Sequence, residues 1–157
     1  MFEDFVLVGK GLFDCGIVDS HCGSLSVRKG ENLLITKKDA MLGFLKETDL
    51  IEVPIEGPSG SDEAASRELP VHRAIYKGTN AQAIVRSQPA YATALSMSAE
   101  AKLIPLDAEG SFFLRSIPVV KVRESTSFDE MAKMLPPIFG SNYVAAIIRG
   151  NGTFTVG

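Results

Sequence analysis

The chain has 157 residues, of which 45% are hydrophobic and 22% charged, with a formal net charge of −3. That is one ordinary domain with enough apolar content for its own core, so it needs neither disulfides nor a structural metal to hold it together. The slightly acidic balance excludes a generic nucleic-acid binder, and no apolar run approaches the ~20 residues that cross a bilayer.

The opening MFEDFVLVGKGLF carries acids where a signal peptide carries bases, so a cytoplasmic location is expected. Its apolar positions Phe2, Phe5, Val6, Val8, Leu12 and Phe13 mostly follow a helical spacing that ends near Gly16. Cys15 and Cys22 are too far apart for a CxxC motif. Of a buried apolar pair, a disulfide and a metal half-site, the buried pair is the expectation. Ser24 to Arg28 and Asn32 to Thr36 read as two strands around Lys29-Gly30-Glu31, with a third from Leu50 to Ile55. Gly57 to Glu63 reads as an exposed loop.

Pro70 is tolerated in a first helical turn, so a helix starts between Ser66 and Leu69 and carries His72, Ile75 and Tyr76. Ala83 to Arg86 reads as a short strand, and Pro89 opens a helix running through Met97. Lys102 to Leu106 and Ile117 to Val122 look extended. A helix from Phe128 to Leu135 is expected to stop at Pro136-Pro137. Tyr143 to Ile148 and Thr153 to Val156 form a closing hairpin around Arg149-Gly150-Asn151-Gly152. Strands alternate with helices, yet several are joined too tightly to run parallel. The pattern predicts one α/β domain with a mixed sheet covered by helices.

Three constellations carry candidate chemistry. Ser66-Arg67-Glu68 precedes the helix of His72, where free N–H groups and the positive dipole end favour an anion. Glu68 is there either as a general base or, as on many surface helices, to complement the dipole behind a Ser66 cap. It lies four positions before His72 on one helical face, so the two are expected to hydrogen-bond each other. Arg86-Ser87-Gln88-Pro89 leaves a buried strand at a sheet end, where sites open, or is a plain strand-to-helix connection. Gly23 to Arg28, with Thr36-Lys37-Lys38 downstream, offers a glycine turn, hydroxyls and ammonium groups suited to an anion. P-loop spacing is absent, and His21 and His72 are not spaced as a metal pair.

Taken in order, these segments resemble the class II aldolase/adducin family. GIVDSHCGSLSVR is similar to its glycine-led strand opening, GNxSxR, and LLITKKDAMLGFLKETDLIEV to its strand, phosphate turn and following strand. SRELPVHRAIYKGTNAQAIVRSQPAYATALSM resembles its S-S-E-x-x-x-H helix, HxHP turn and next helix. LIPLDAEGSFFLRSIPVV and YVAAIIRGNGTFTVG resemble its later strands and terminal HG turn. The likeness implies a three-layer α/β/α fold around a mixed, largely antiparallel sheet. Residues 1–157 would form a single domain without the helical segment that often follows in the family. It also implies a homo-oligomer, and a chemistry in which zinc polarises a short phosphorylated ketose or aldol while a glutamate moves the proton.

Carried over residue by residue, the resemblance puts Glu68 at the catalytic glutamate and Ser24, Thr36, Lys37, Lys38, Ser66 and Arg67 around the phosphate site. The HxH pair has become Arg86 and Gln88, and the third histidine Asn151. A guanidinium and two carboxamides cannot replace three imidazoles around zinc. Metal polarisation is worth several kcal/mol, and each ~1.4 kcal/mol is about tenfold in rate. No cofactor and no metal-dependent aldol cleavage are therefore expected. Arg86 is expected to stand where the cation stood, paired with Glu68, in a pocket for a small anionic metabolite such as a sugar phosphate or carboxylate. The alternatives are a metal-free lyase, aldolase or isomerase using Glu68 as acid/base with Arg86 as stabiliser, and an adducin-like assembly module.

Overall fold

A computed structural model describes residues 1–124 and 126–157. Helix α1 (Phe2–Asp14) comes first, then the hairpin of β1 (Ser24–Lys29) and β2 (Asn32–Thr36), turned at Gly30 with φ +63°. β3 (Leu50–Pro54), α2 (Leu69–Gly78), β4 (Ala83–Ser87) and α3 (Ala90–Ser98) follow. The second half holds β5 (Lys102–Leu103), α4 (Ala108–Phe113), β6 (Ile117–Val120), α5 (Phe128–Gly140), β7 (Ala145–Ile148) and β8 (Gly152–Val156).

Among the described residues the eight strands form one sheet in the order β3-β2-β1-β4-β8-β7-β6-β5. Tight connections impose antiparallel pairing on β1–β2 and β7–β8, whereas β6 and β7, linked through α5, run parallel. The result is the α/β fold with a mixed, largely antiparallel sheet that the sequence predicts.

Alternation along the strands divides the core between two faces. Leu33, Ile35, Ile84, Ile148 and Phe154 meet Val71 and Ile75 of α2 and Met131 and Leu135 of α5 in one buried cluster. Leu25, with Val27, Leu34 and Val85, instead joins Phe5 of α1 and Leu42 in a second cluster. Helix α1 comes close to the Leu42 segment because Gly9 has no side chain: a Cβ there would lie 2.2 Å from the Leu42 carbonyl oxygen. With Leu25 and Val27 facing α1, Ser24, Ser26 and Arg28 of β1 are left facing α2.

Several sequence expectations change. Helix α5 does not stop at Leu135 but carries Pro136 and Pro137 inside it and ends at Gly140. Two missing N–H donors in its last turns are offset by burial of Met131, Leu135 and Phe139 in the cluster shared with α2. Lys102 to Leu106 shortens to a two-residue strand paired with Ile117 and Pro118, and α4, with Gly110 N–H donating to Asp107 Oδ1 at 2.7 Å, was not foreseen. The Gly57–Glu63 loop is anchored at Asp62, which takes two hydrogen bonds from Arg73 at 2.5 and 2.9 Å. That guanidinium holds the Asp62 carboxyl at about 2, below its ordinary 3.8. Cys15 is exposed and Cys22 half-buried, both as free thiols, so they are not the expected buried pair. No helix among the described residues is long and apolar enough to cross a membrane.

Candidate functional site

A cleft of about 270 Å³ opens where β1 begins, β4 ends and β7 turns into β8. Lys37, Lys38, Ser66, Arg67, Glu68, Arg86, Gln88 and Asn151 line it, together with His21 and Cys22. The sheet register makes Ser24 and Arg86 direct cross-strand neighbours. Gly23 permits this entry into β1: its φ is +98°, and a Cβ would lie 2.9 Å from the Arg86 carbonyl oxygen. A larger surface groove of about 750 Å³ lies by the C-terminal end of α2, where Lys77 is the one charged side chain among the described residues that line it. It contains none of the sequence-singled residues, and the smaller cleft is the chemical candidate.

Glu68 sits at the N-terminus of α2 without capping the helix through its side chain. Its Oε2 accepts hydrogen bonds from the Ser24 hydroxyl at 2.6 Å and the Ser66 hydroxyl at 3.0 Å. Its Oε1 lies 3.3 Å from Arg86 Nε, in an ion pair whose side chains are only 7% (Arg86) and 14% (Glu68) exposed. Arg86 Nη2 donates in turn to Asn151 Oδ1 at 2.8 Å. Ser66 is thus less a helix cap than a donor to Glu68.

The direct side-chain hydrogen bond between Glu68 and His72 expected from their spacing is not formed; Ser24 stands between the two side chains, 3.0 Å from His72 Nε2. His72 Nδ1 is 2.7 Å from the Ser26 hydroxyl, which is 2.8 Å from the Tyr76 hydroxyl. His72 is fully buried, and loss of solvent pushes its pKa down to about 4 against the opposing pull of the Glu68 charge. Burial likewise pushes the Tyr76 hydroxyl up to about 12. The imidazole is therefore neutral at pH 7.

The expected phosphate residues divide. Lys37, Lys38, Ser66 and Arg67 line the cleft, and Arg67 forms an exposed pair with Asp39 at 3.3 Å. Thr36 is buried, and its Oγ1 accepts from the Leu25 N–H at 3.2 Å, bracing β1 against β2. Ser24 is fully buried and committed to Glu68 and His72. Both side chains bind the protein itself, and neither is among the residues that line the cleft.

The link of Ser26 and Tyr76 to His72 was missed. Two periodicities together could have found it. Polar residues at 24, 26 and 28 share one strand face, and Glu68, His72 and Tyr76 share one helix face at intervals of four. A polar strand face buried against a polar helix stripe must hydrogen-bond internally.

Arg86, Gln88 and Asn151, the positions that the resemblance assigns to metal-binding histidines, meet in this one cleft beside Glu68. They do not fit zinc. A guanidinium has no lone pair to donate, and it already occupies the ground between Glu68 and Asn151. The nearby Cys22 thiol is pushed above its ordinary value, first by its hydrogen bond with Asp19, so it does not favour the thiolate a metal takes. No group of three or more His, Cys, Asp or Glu residues among those described could hold a metal ion.

Comparison with known proteins agrees with this architecture. The family model for the class II aldolase and adducin N-terminal domain matches residues 3–157. An L-fuculose phosphate aldolase of Methanocaldococcus jannaschii is 32% identical over 136 residues, which is 83% of this chain and 74% of that protein. A 3-oxo-tetronate 4-phosphate decarboxylase of Cupriavidus necator is 30% identical over 97 residues, 61% of this chain and 45% of that one. The crystal structure of L-fuculose-1-phosphate aldolase from Thermus thermophilus superimposes with a TM-score of 0.93 at 37% identity, covering 99% of this chain and 77% of that one.

Proposed function

Because the chain belongs to the class II aldolase and adducin family, we propose that it has kept the family's cleft as a binding site for a small anionic metabolite, a sugar phosphate or carboxylate, without the metal-dependent aldolase step. The charge arrangement supports this most directly. Four cations (Lys37, Lys38, Arg67 and Arg86) line the cleft against two carboxylates, Asp39 and Glu68, each already paired with an arginine. The ammonium groups of Lys37 and Lys38 have no hydrogen-bond or ion-pair partner among the described residues, and two such groups suit a phosphate or carboxylate. The names of the two relatives above both contain a phosphorylated small molecule. Arg86 supplies fixed positive charge where Lewis-acid polarisation would be needed, and a hydrogen-bond donor does not replace that.

Inorganic phosphate tests the reading. At about 100 times its Kd, a ligand specific for the folded state stabilises by about 2.7 kcal/mol. Phosphate is expected to raise the Tm, and Lys37→Ala/Lys38→Ala to abolish the rise. Metal analysis of the purified protein is expected to find no stoichiometric zinc. A Tm indifferent to phosphate, or one zinc per chain, overturns the proposal.

A metal-free lyase or isomerase with Glu68 as acid/base is the competing reading, since Glu68 keeps Oε1 at the cleft beside Arg86. Turnover of a sugar phosphate that Glu68→Gln eliminates would favour it. A homo-oligomer is also proposed. Tyr91, Leu95, Ile104, Leu106, Phe112 and Phe113 leave large apolar side chains exposed within one stretch of chain. Sedimentation equilibrium at a monomer mass would exclude that assembly.

A further inference from the structure

The hydrogen bonds beneath the cleft form an unbranched path from Glu68 through Ser24, His72 and Ser26 to Tyr76, with steps of 2.6, 3.0, 2.7 and 2.8 Å. Its three middle members are 0–2% exposed, and Tyr76 is 1% exposed, so water does not supply alternative partners. Each hydroxyl has one proton, and a neutral imidazole has one N–H and one bare nitrogen. The direction of the whole path therefore follows from its ends.

At the Glu68 end an ionised carboxylate only accepts, so the Ser24 proton points at Oε2. Ser24 must then accept from His72, which places the ring proton on Nε2. Nδ1 is left bare and accepts from Ser26. Ser26, with its proton spent, accepts from Tyr76. At that far end the Tyr76 hydroxyl has Ser26 as its hydrogen-bond partner among the described residues, so the same direction is the one that uses the tyrosine proton. Both ends demand one polarity. The low pKa of the buried ring agrees, because an imidazolium would put a second N–H against a hydroxyl that already donates to the ring.

We propose that Tyr76, Ser26, His72 and Ser24 form a one-directional hydrogen-bond relay ending on Glu68, in which His72 is a positioning residue. Its Nε2–H tautomer turns the Ser24 hydroxyl onto Oε2 and leaves Oε1, beside Arg86, as the oxygen that meets a ligand. This deepens the reading of Glu68 as a residue of the binding cleft. It is nonetheless tested without any ligand, so a failure to bind phosphate and a failure of the relay are separate results.

The charge of the cleft carboxylate is thereby coupled to the proton position on a ring that the solvent never touches. Replacing Glu68 by glutamine tests the coupling. The amide oxygen faces Arg86 and the amide NH2 faces Ser24, so the end of the relay becomes a donor and the path is driven to reverse.

The chain has two histidines, and His21 is exposed, so long-range proton–nitrogen NMR of histidine-labelled protein separates the buried ring from the exposed one. The wild-type spectrum at pH 7 is expected to show His72 as the neutral Nε2–H form. Glu68→Gln is expected to move it toward Nδ1–H, and Ser24→Ala, which cuts the link, to remove the response to Glu68→Gln. Tyr76→Phe leaves the carboxylate end intact and is expected to keep Nε2–H. A wild-type Nδ1–H ring, or a Glu68→Gln spectrum unchanged from wild type, overturns the relay. A ring that switches in Tyr76→Phe would put control at the wrong end and overturns it as well.

Discussion

Arg86→Met is expected to lower the unfolding free energy by about 3 kcal/mol, near the lower end of the range for breaking a buried ion pair from one side. The methionine fills the space of the arginine stem but leaves the Glu68 carboxylate, 14% exposed, with two hydroxyl donors and no cation. The cost arises from the charge left behind, so Glu68→Gln in the same background is expected to recover most of it. Urea denaturation of the four proteins in this cycle, at a common m value, measures the coupling. If Arg86→Met stays within ~1 kcal/mol of wild type, or costs as much beside Gln as beside Glu, the pair does not hold the cleft together. The guanidinium would then be a surface charge in energetic terms.

The second large effect is on pH. Stability is expected to decline as pH falls from 6.5 toward about 4, because the unfolded chain binds a proton at His72 that the folded chain refuses. Above 6.5 neither state is protonated there and the full stability is present; it is lost as pH falls through to the folded-state value near 4. At about 1.4 kcal/mol per pK unit, that gap amounts to about 3 kcal/mol from one side chain. Asp62 acts in a separate window, between 3.8 and about 2, where its pair with Arg73 is lost on protonation. Urea melts at pH 7, 5.5 and 4.5 read the His72 window, and His72→Gln is expected to flatten the slope. Should that variant fold poorly, NMR titration of the wild-type ring gives the same information, with the ring expected to stay neutral through pH 5. A ring that titrates near 6.5 sinks the prediction.

Both effects come from pairings that the linear sequence only half shows. The Arg86–Glu68 pair was anticipated from the family resemblance, which puts Arg86 where the cation stood, and the structure has it at 3.3 Å. The intervening Ser24 was not. Spacing within α2 suggested that Glu68 and His72 touch, but a residue 44 positions from Glu68 enters between them on β1. Thr36 fits an anion site by type and by its neighbours, yet its side chain turns into the sheet and binds the Leu25 N–H. Local sequence reports which groups are present; the register of β1 against β4, and the face of β1 that meets α2, report which are still unoccupied.

What the sequence determined by itself was the short-range geometry. Gly30 and the Arg149–Gly152 segment turn chain between strands, Pro70 starts α2, and strands that alternate with helices but are in places joined too tightly to run parallel predict an α/β fold with a mixed sheet. These follow from steric and periodic rules acting over a few residues. Tertiary structure alone decided that α5 runs through Pro136 and Pro137, where buried contacts with α2 outweigh two lost donors. It alone also decided that five polar groups from β1 and α2 share one path of protons. Satisfying a buried polar group depends on whatever lies opposite it, and that is a property of packing.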